Sequence, residues 1–293
     1  HHQKVRIHSQ KIKKKTMALL VDFSQIVIGS YMTAAKYSTV DMDVIRPAVL
    51  NTLRIYRNKF VSEYGEVILC CDDRHTWRRD IFPNYKASRK KTRKVSGTDW
   101  TNLYDCLNQL KDELRQWFPY KLIQVEKAEA DDIIATLVNL IDERTLILSS
   151  DKDFVQLHQF NVRQYSPMQK KFVDGDAKRN LHEKLIRGDV GDGVPNIMSD
   201  DNVFIDEGRR QKPITTKKVD AWYDLDPDMY CDAEMLRNYN RNKQLIDLGE
   251  VPESIRINIT KQFETTQVGE RSRLLTYFVN HRLKNLTENL SEF

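Results

Sequence analysis

The chain has 293 residues, 40% of them hydrophobic, which is ample for a sizeable core in one or two domains. Its 47 Lys and Arg against 42 Asp and Glu make it only mildly basic, so the distribution of charge says more about partners than the total. The four cysteines, Cys70, Cys71, Cys106 and Cys231, form no C-x-x-C pair, which excludes a zinc site or disulfide framework of the usual spacing and suits a reduced, cytoplasmic setting.

The opening stretch HHQKVRIHSQKIKKKT, residues 1–16, is basic and reads as a disordered or tag-derived leader. MALLVDFSQIVIGSYM follows; Asp22 interrupts it and no small-residue cleavage site ends it, so it reads as a strand, Met17–Phe23, and not as a secretion signal. No later run approaches the ~18 uninterrupted apolar residues of a membrane span, so no membrane association is expected. A helical pattern covers Val44–Val61 and a strand covers Val67–Cys71. A dense basic stretch, WRRDIFPNYKASRKKTRK (Trp77–Lys94), comes next, then a helix over Asn102–Trp117 and a strand over Lys121–Val125. A helix over Asp131–Ile141 and a strand over Thr145–Leu148 complete the alternation. Strands that read as near-continuous hydrophobics (ALLV, VILCC, LILS) between helices predict an α/β fold: a mostly parallel sheet with helices on both faces. Near residue 180 the character changes to turn chemistry, RGDVGDGVPNI, and then to helices such as Met235–Leu248 and Ser272–Leu283. The expected division is a catalytic α/β domain over 17–180 and a smaller, mainly helical domain over 181–293.

Acids gather where chemistry usually sits. ALLV ends on Asp22, VILCC on Asp72, and LILSS on Asp151 with Asp153 behind it; Glu129, Asp131 and Asp132 open the helix after KLIQV. In an open parallel sheet the carboxyl ends of the strands share one edge, and ligands bind there. A single Asp after a strand is just as readily a helix cap. Capping does not explain doubled acids, whose crowded charges cost several kcal/mol unless a cation intervenes. Hard divalent cations take oxygen ligands, and magnesium or manganese held by carboxylates could clamp an in-line phosphoryl displacement as a pair of ions.

The basic stretch names the carrier of the phosphate. Arg78, Arg79, Lys86, Arg89, Lys90, Lys91, Arg93 and Lys94 face one acid, Asp80, with Trp77, Phe82 and Tyr85 interleaved. Cations for backbone phosphates and aromatic faces for unstacked bases suit single-strand binding, although a run of this kind is also what a solvated surface helix looks like. GDVGDGVPNI (Gly188–Ile197) puts Asp189 and Asp192 among glycines, a loop able to cradle a phosphate or monovalent cation or simply to turn between helices. There is no G-x-x-x-x-G-K-[ST], G-x-G-x-x-G or H-E-x-x-H, so nucleoside-triphosphate, dinucleotide and zinc-protease readings lack support.

Together VDFSQ, CCDD, WRRD…NYKASR, AEADD, SSDKDFVQL and GDVGDGVPNI resemble the structure-specific 5′ nuclease (flap endonuclease) superfamily, nearest in order and spacing to the ribonuclease H type of T-even bacteriophages. The resemblance runs from about Leu19 to Ile197, with a weaker echo near the C-terminus. It implies a PIN-like catalytic domain with a basic arch over about residues 74–100. It implies two Mg2+ ions, replaceable by Mn2+: Asp22, Asp72, Asp131 and Asp151 serving the first, Asp153, Asp189 and Asp192 the second, and Glu129 and Asp132 either. Arg79, Lys86 and Arg89 would steer the scissile phosphate, and Arg78, Tyr85, Lys90, Lys91, Arg93 and Lys94 would contact nucleic acid. Gly191 and Gly193 would grip the duplex backbone in a loop that also takes K+; the residues after it depart from the family pattern, and Arg209, Arg210, Lys217 and Lys218 stand there as duplex contacts.

The implied activity is 5′-to-3′ exonuclease and flap endonuclease action on RNA–DNA hybrid and duplex DNA, removing RNA primers in phage lagging-strand replication inside an infected bacterial cell. The implied partners are a single-strand DNA-binding protein and a sliding clamp, the enzyme itself being a monomer. Two other readings share the residues: a non-catalytic nucleic-acid-binding protein on the same fold, or another metal-dependent phosphohydrolase.

Overall fold

A computed structural model describes residues 16–293, so residues 1–15 of the expected leader lie outside the described residues. Five parallel strands and one antiparallel strand form the sheet: β1 (Ala18–Asp22), β2 (Val67–Cys70), β3 (Lys121–Ile123), β4 (Thr145–Leu148), β5 (Val162–Ser166) and β6 (Lys171–Val173), in the order β3-β2-β1-β4-β5-β6. The first half of the chain winds outward from β1 through β2 to β3, and the second half starts again on the other side with β4. The topological switch therefore falls between β1 and β4, where a crevice opens at the carboxyl ends.

The helices are α1 (Phe23–Ala35), α2 (Met42–Tyr64), α3 (Trp77–Ile81), α4 (Arg89–Val95), α5 (Trp100–Trp117) and α6 (Ala130–Leu140) in the first part. α7 (Ala177–Arg187), α8 (Thr216–Ala221), α9 (Ala233–Ile246), α10 (Glu253–Thr265), α11 (Leu274–Asn280) and α12 (Lys284–Thr287) follow. The period-2 geometry of the strands sends alternate side chains to opposite layers. Leu19, Val21, Val67, Leu69, Leu146 and Leu148 pack in one core with α1, α2 and α5. Ala18, Leu20, Ile68, Cys70 and Ile147 pack in the other with α6. The last helices return to this framework: Ile255 and Ile259 of α10 join the α6 layer, and Tyr277, Phe278 and Phe293 join the opposite one. The four expected strands are present; β5, β6 and α1 were not among the expected elements. Among the described residues no helix is long and apolar enough to cross a membrane.

Register places the acids. Asp22 is paired with Cys70 and Val21 with Leu148, so the chain leaves β1, β2 and β4 at one level. Asp22 is the last residue of β1, and Asp72 and Asp151 lie just past the ends of β2 and β4.

Candidate active site

Asp22 is only 8% exposed and accepts a 2.9 Å hydrogen bond from Ser149 Oγ. Burial, reinforced by the charges of Asp72 and Asp151, pushes its carboxyl up to about 7. Asp72 Oδ1 accepts the Ala130 N–H at 2.7 Å, which brings the start of α6, and with it Asp131, to the same edge. Burial and then the charges of Asp151 and Glu129 hold Asp131 well above the ordinary carboxylate range. Asp151 caps the 3-10 turn Lys152–Leu157 through the Asp153 N–H at 2.9 Å. Among the described residues none of Asp22, Asp72, Asp131 and Asp151 forms an ion pair with a Lys or Arg.

A second group adjoins it. Carboxylate oxygens of Asp153, Asp189 and Asp192 lie within 4.8 Å of one another. Lys184 Nζ, from the last turn of α7, sits 2.7 Å from Asp153 and 2.8 Å from Asp189. Burial and then Asp151 push Asp153 up to about 6 despite that lysine. Against the desolvation of burial, Lys184 and the N–H groups of Asp192 and Gly191 hold Asp189 below its ordinary value. Asp131, Asp153, Asp189 and Asp192 line one crevice, floored by Val194, Leu245, Ile246 and Leu248.

The loop that carries Asp189 and Asp192 is shaped by its glycines. Gly188 has φ +68°, and a Cβ there would come within 2.3 Å of the Val194 carbonyl oxygen. Paired hydrogen bonds of 2.8 Å between Asp189 and Val194 close the turn. Gly193, at φ +71°, lets the loop approach the Asn84 carbonyl, beside which the Lys86 N–H donates to the Asp192 carbonyl at 2.8 Å. The loop is thereby bound to the base of the basic stretch.

The basic residues divide into two sets. Lys86 pairs with Glu129 and lies 3.9 Å from Asp192, while Arg89 meets Asp192 at 2.6 Å. Arg79 is exposed and its Nε donates to the Tyr85 carbonyl at 3.2 Å; Lys90, Lys91 and Lys94 are exposed on α4. Arg93 lies over the rings of Trp100 and Tyr104, 4.8 and 5.4 Å from their centroids.

Three expectations require correction, those for Arg78, Tyr85 and Asp132. Arg78 is 2% exposed, donating to Leu245 O and paired with Glu129 at 2.6 Å and Asp132 at 2.8 Å, so it holds α3 to α6 and α9 and is not free for nucleic acid. Tyr85, like Trp77 and Phe82, is buried, so these rings are core and not base-stacking faces. Asp132 is 0% exposed, with its oxygens taken by Arg78, the Trp77 indole N–H and the Glu129 N–H. Glu129 is likewise occupied by Arg78, Lys86, Tyr85 and Thr76; against its desolvation, Lys86 and Arg78 hold it down to about 2. Asp132 has no oxygen left for a metal, whereas Glu129 is held by Lys86 in the way that Asp189 is held by Lys184 and Asp192 by Arg89.

Oxygen-only donors, several raised by burial and then by mutual repulsion, with a lysine ammonium drawn between two of them, suit a hard divalent cation. Ser149, which links Asp22 to Asp151, and Lys184, which links Asp153 to Asp189, have no place in the site as read from the sequence, because neither type nor spacing marks them locally for this role.

The chain matches two family descriptions: "5′-3′ exonuclease, N-terminal resolvase-like domain" over residues 17–185, and "T4 RNase H, C terminal" over residues 175–293. It is 32% identical to the ribonuclease H of Enterobacteria phage T4, across 94% of this chain and 95% of that protein. A flap endonuclease Xni from Aeromonas hydrophila is 33% identical over 44% of this chain and 46% of its own length. Among solved structures, the bacteriophage T5 5′-exonuclease with bound zinc superposes with a TM-score of 0.62 at 18% identity, covering 86% of this chain and all of the other (100%). A complex of the bacteriophage T5 flap endonuclease with DNA and metal ions gives 0.60 at 16% identity, covering 84% and 98%.

Proposed function

This chain belongs to the 5′-3′ exonuclease family of the T4 ribonuclease H type, and we propose that it is a magnesium-dependent 5′ nuclease acting on the 5′ ends and flaps of RNA–DNA hybrid and duplex DNA. The observation that carries this reading is that Asp22, Asp72, Asp131 and Asp151 crowd one another at the carboxyl edge of the sheet, next to a crevice that Asp131 lines together with Asp153, Asp189 and Asp192. The first four hold one ion and the last three a second, with Mn2+ able to replace Mg2+. When bound, such ions supply a hydroxide nucleophile from water and offset charge on the leaving oxygen.

The protein's own part is positioning. Lys86 and Arg89, now answering Glu129 and Asp192, stand where they can hold a phosphate over the acids, with Arg79 beside them. Lys90, Lys91 and Lys94 of the arch neutralise backbone phosphates in a sequence-independent way. The Gly188–Ile197 turn, with Gly191 and Gly193, serves the duplex strand and a K+ ion. Products are a 5′-phosphate and a 3′-hydroxyl. The setting is primer removal on the lagging strand in an infected bacterium, with a monomeric enzyme meeting a single-strand DNA-binding protein and a sliding clamp. Names of relatives support the substrate class, since one is a ribonuclease H and others are flap endonucleases, and the T5 complex contains DNA. A retained fold without catalysis is disfavoured by the complete acid set.

Asp151→Asn tests the reading. On a labelled 5′ flap with magnesium, cleavage should fall at least about a thousandfold while DNA affinity stays within about threefold, because Asn keeps the shape and removes the charge. Undiminished cutting by this variant would show that the site is misassigned.

A further inference from the structure

β5 carries a polar side chain in a buried place. Gln164 is 0% exposed and faces the layer of Ile147, its register partner in β4. Its three polar contacts are specific. Nε2 donates to the Ser149 carbonyl at 2.8 Å and to the Asp151 carbonyl at 2.7 Å, and Oε1 takes a 2.9 Å bond from His158 Nε2. Both N–H groups of one amide are therefore spent on the two carbonyls that bracket the exit from β4. These carbonyls leave the sheet ladder where the chain turns, and buried carbonyls need donors.

The segment so clamped touches acids of both groups. Ser149 Oγ donates to Asp22 and accepts the Asp151 N–H at 3.1 Å, and Asp151 Oδ1 accepts the Asp153 N–H. We infer that Gln164, oriented by His158, is a positioning residue for the metal-binding acids, setting Asp151 directly and Asp22 and Asp153 through Ser149 and Asp151. The inference rests on the metal-dependent reading above. Partners of ligands, one contact removed from the metal, typically change metal affinity 10–100-fold when lost.

The fold supplies a control. Gln262 on α10 also ties the backbone just past a strand end, that of β3, with its Oε1 accepting the Gln124 N–H at 2.7 Å and its Nε2 donating to the Gln124 carbonyl at 2.8 Å. Gln164→Met and Gln262→Met both remove a two-bond tie while nearly keeping volume. Mn2+ titration by calorimetry at 25 °C, on protein confirmed folded by circular dichroism, separates them. For Gln164→Met the expected result is Mn2+ affinity at least about tenfold weaker, with kcat on a 5′ flap lowered similarly and KM within about twofold. For Gln262→Met a lower Tm is expected with both quantities unchanged. Should Gln164→Met fail to fold, His158→Phe keeps a ring but removes the donor, and a severalfold loss of Mn2+ affinity is expected. Mn2+ affinity within twofold of the parent in whichever variant folds overturns the inference. A parent protein that neither binds Mn2+ nor cuts the flap overturns instead the functional reading beneath it.

Discussion

Arg78 shows how far a residue's role depends on what surrounds it. In the chain it is one cation in a run of eight, and runs of that kind face solvent. In the fold it is walled in by Trp77 and Tyr85 and held between Glu129 and Asp132, neither of which is exposed enough to find water instead. Burying such a set contributes little net stability, but removing one member leaves the others uncompensated. Arg78→Met should therefore cost about 3–5 kcal/mol, read as a fall of Tm in thermal unfolding. Lys91→Ala, on the exposed arch, should leave Tm within a degree or so, about ±0.5 kcal/mol. Equal Tm values for the two variants would refute the assignment of Arg78 to structure.

At the scale of elements, what could be recognised from sequence was whatever repeats a simple pattern. β1, β2, β3 and β4 are almost wholly apolar because both faces are covered, and they stood out as such. β5, VRQYS, did not: its buried positions include Gln164, a polar residue that serves the neighbouring loop. α1 was hidden because the apolar run of β1 continues into it across Asp22, with little polar contrast between its faces. The arch is a third case. The charge pattern identified it, yet only the fold shows that its base, Lys86 and Arg89, is tied to Glu129 and Asp192 whereas Lys90, Lys91 and Lys94 stand free in solvent. The double variant Lys86→Ala, Arg89→Ala should slow flap cleavage about tenfold or more, and each lost phosphate contact should lower the slope of log affinity against log salt by about one. Wild-type rates across a salt titration would reduce the arch base to a structural contact.

For the whole molecule, the acid cluster makes stability depend on pH and metal in a definite sense. Asp22, near 7, and Asp153, near 6, both lie above the unfolded carboxyl value, so the folded state takes up protons first. Without divalent ions, stability should therefore rise as pH falls from about 8 through 6, giving a higher Tm at pH 5.5 than at 7.5. Glu129, held near 2, acts in the opposite sense, but its contribution is lost only below the unfolded value of about 4.5. Saturating magnesium should raise Tm at pH 7.5 and erase or reverse the difference. A Tm that is flat with pH and blind to magnesium would mean that the acids do not crowd together.

The C-terminal helices belong to the same scale. The sequence suggests a break near residue 181, yet α10, α11 and Phe293 lie in the two cores that flank the sheet, closing them over Phe118 and α6. By itself the sequence determined the parallel sheet, its carboxyl edge and the residue types fit for a hard cation, since these follow from local pattern and from the chemistry of single side chains. Only the tertiary structure decided which acids remain uncompensated. Asp131 and Asp132 are neighbours in the chain, and a helical step turns one toward the crevice with Asp153 and Asp189 and the other into the guanidinium of Arg78. Burial and the partner across the fold, not the residue's identity, set whether a carboxylate is free to bind.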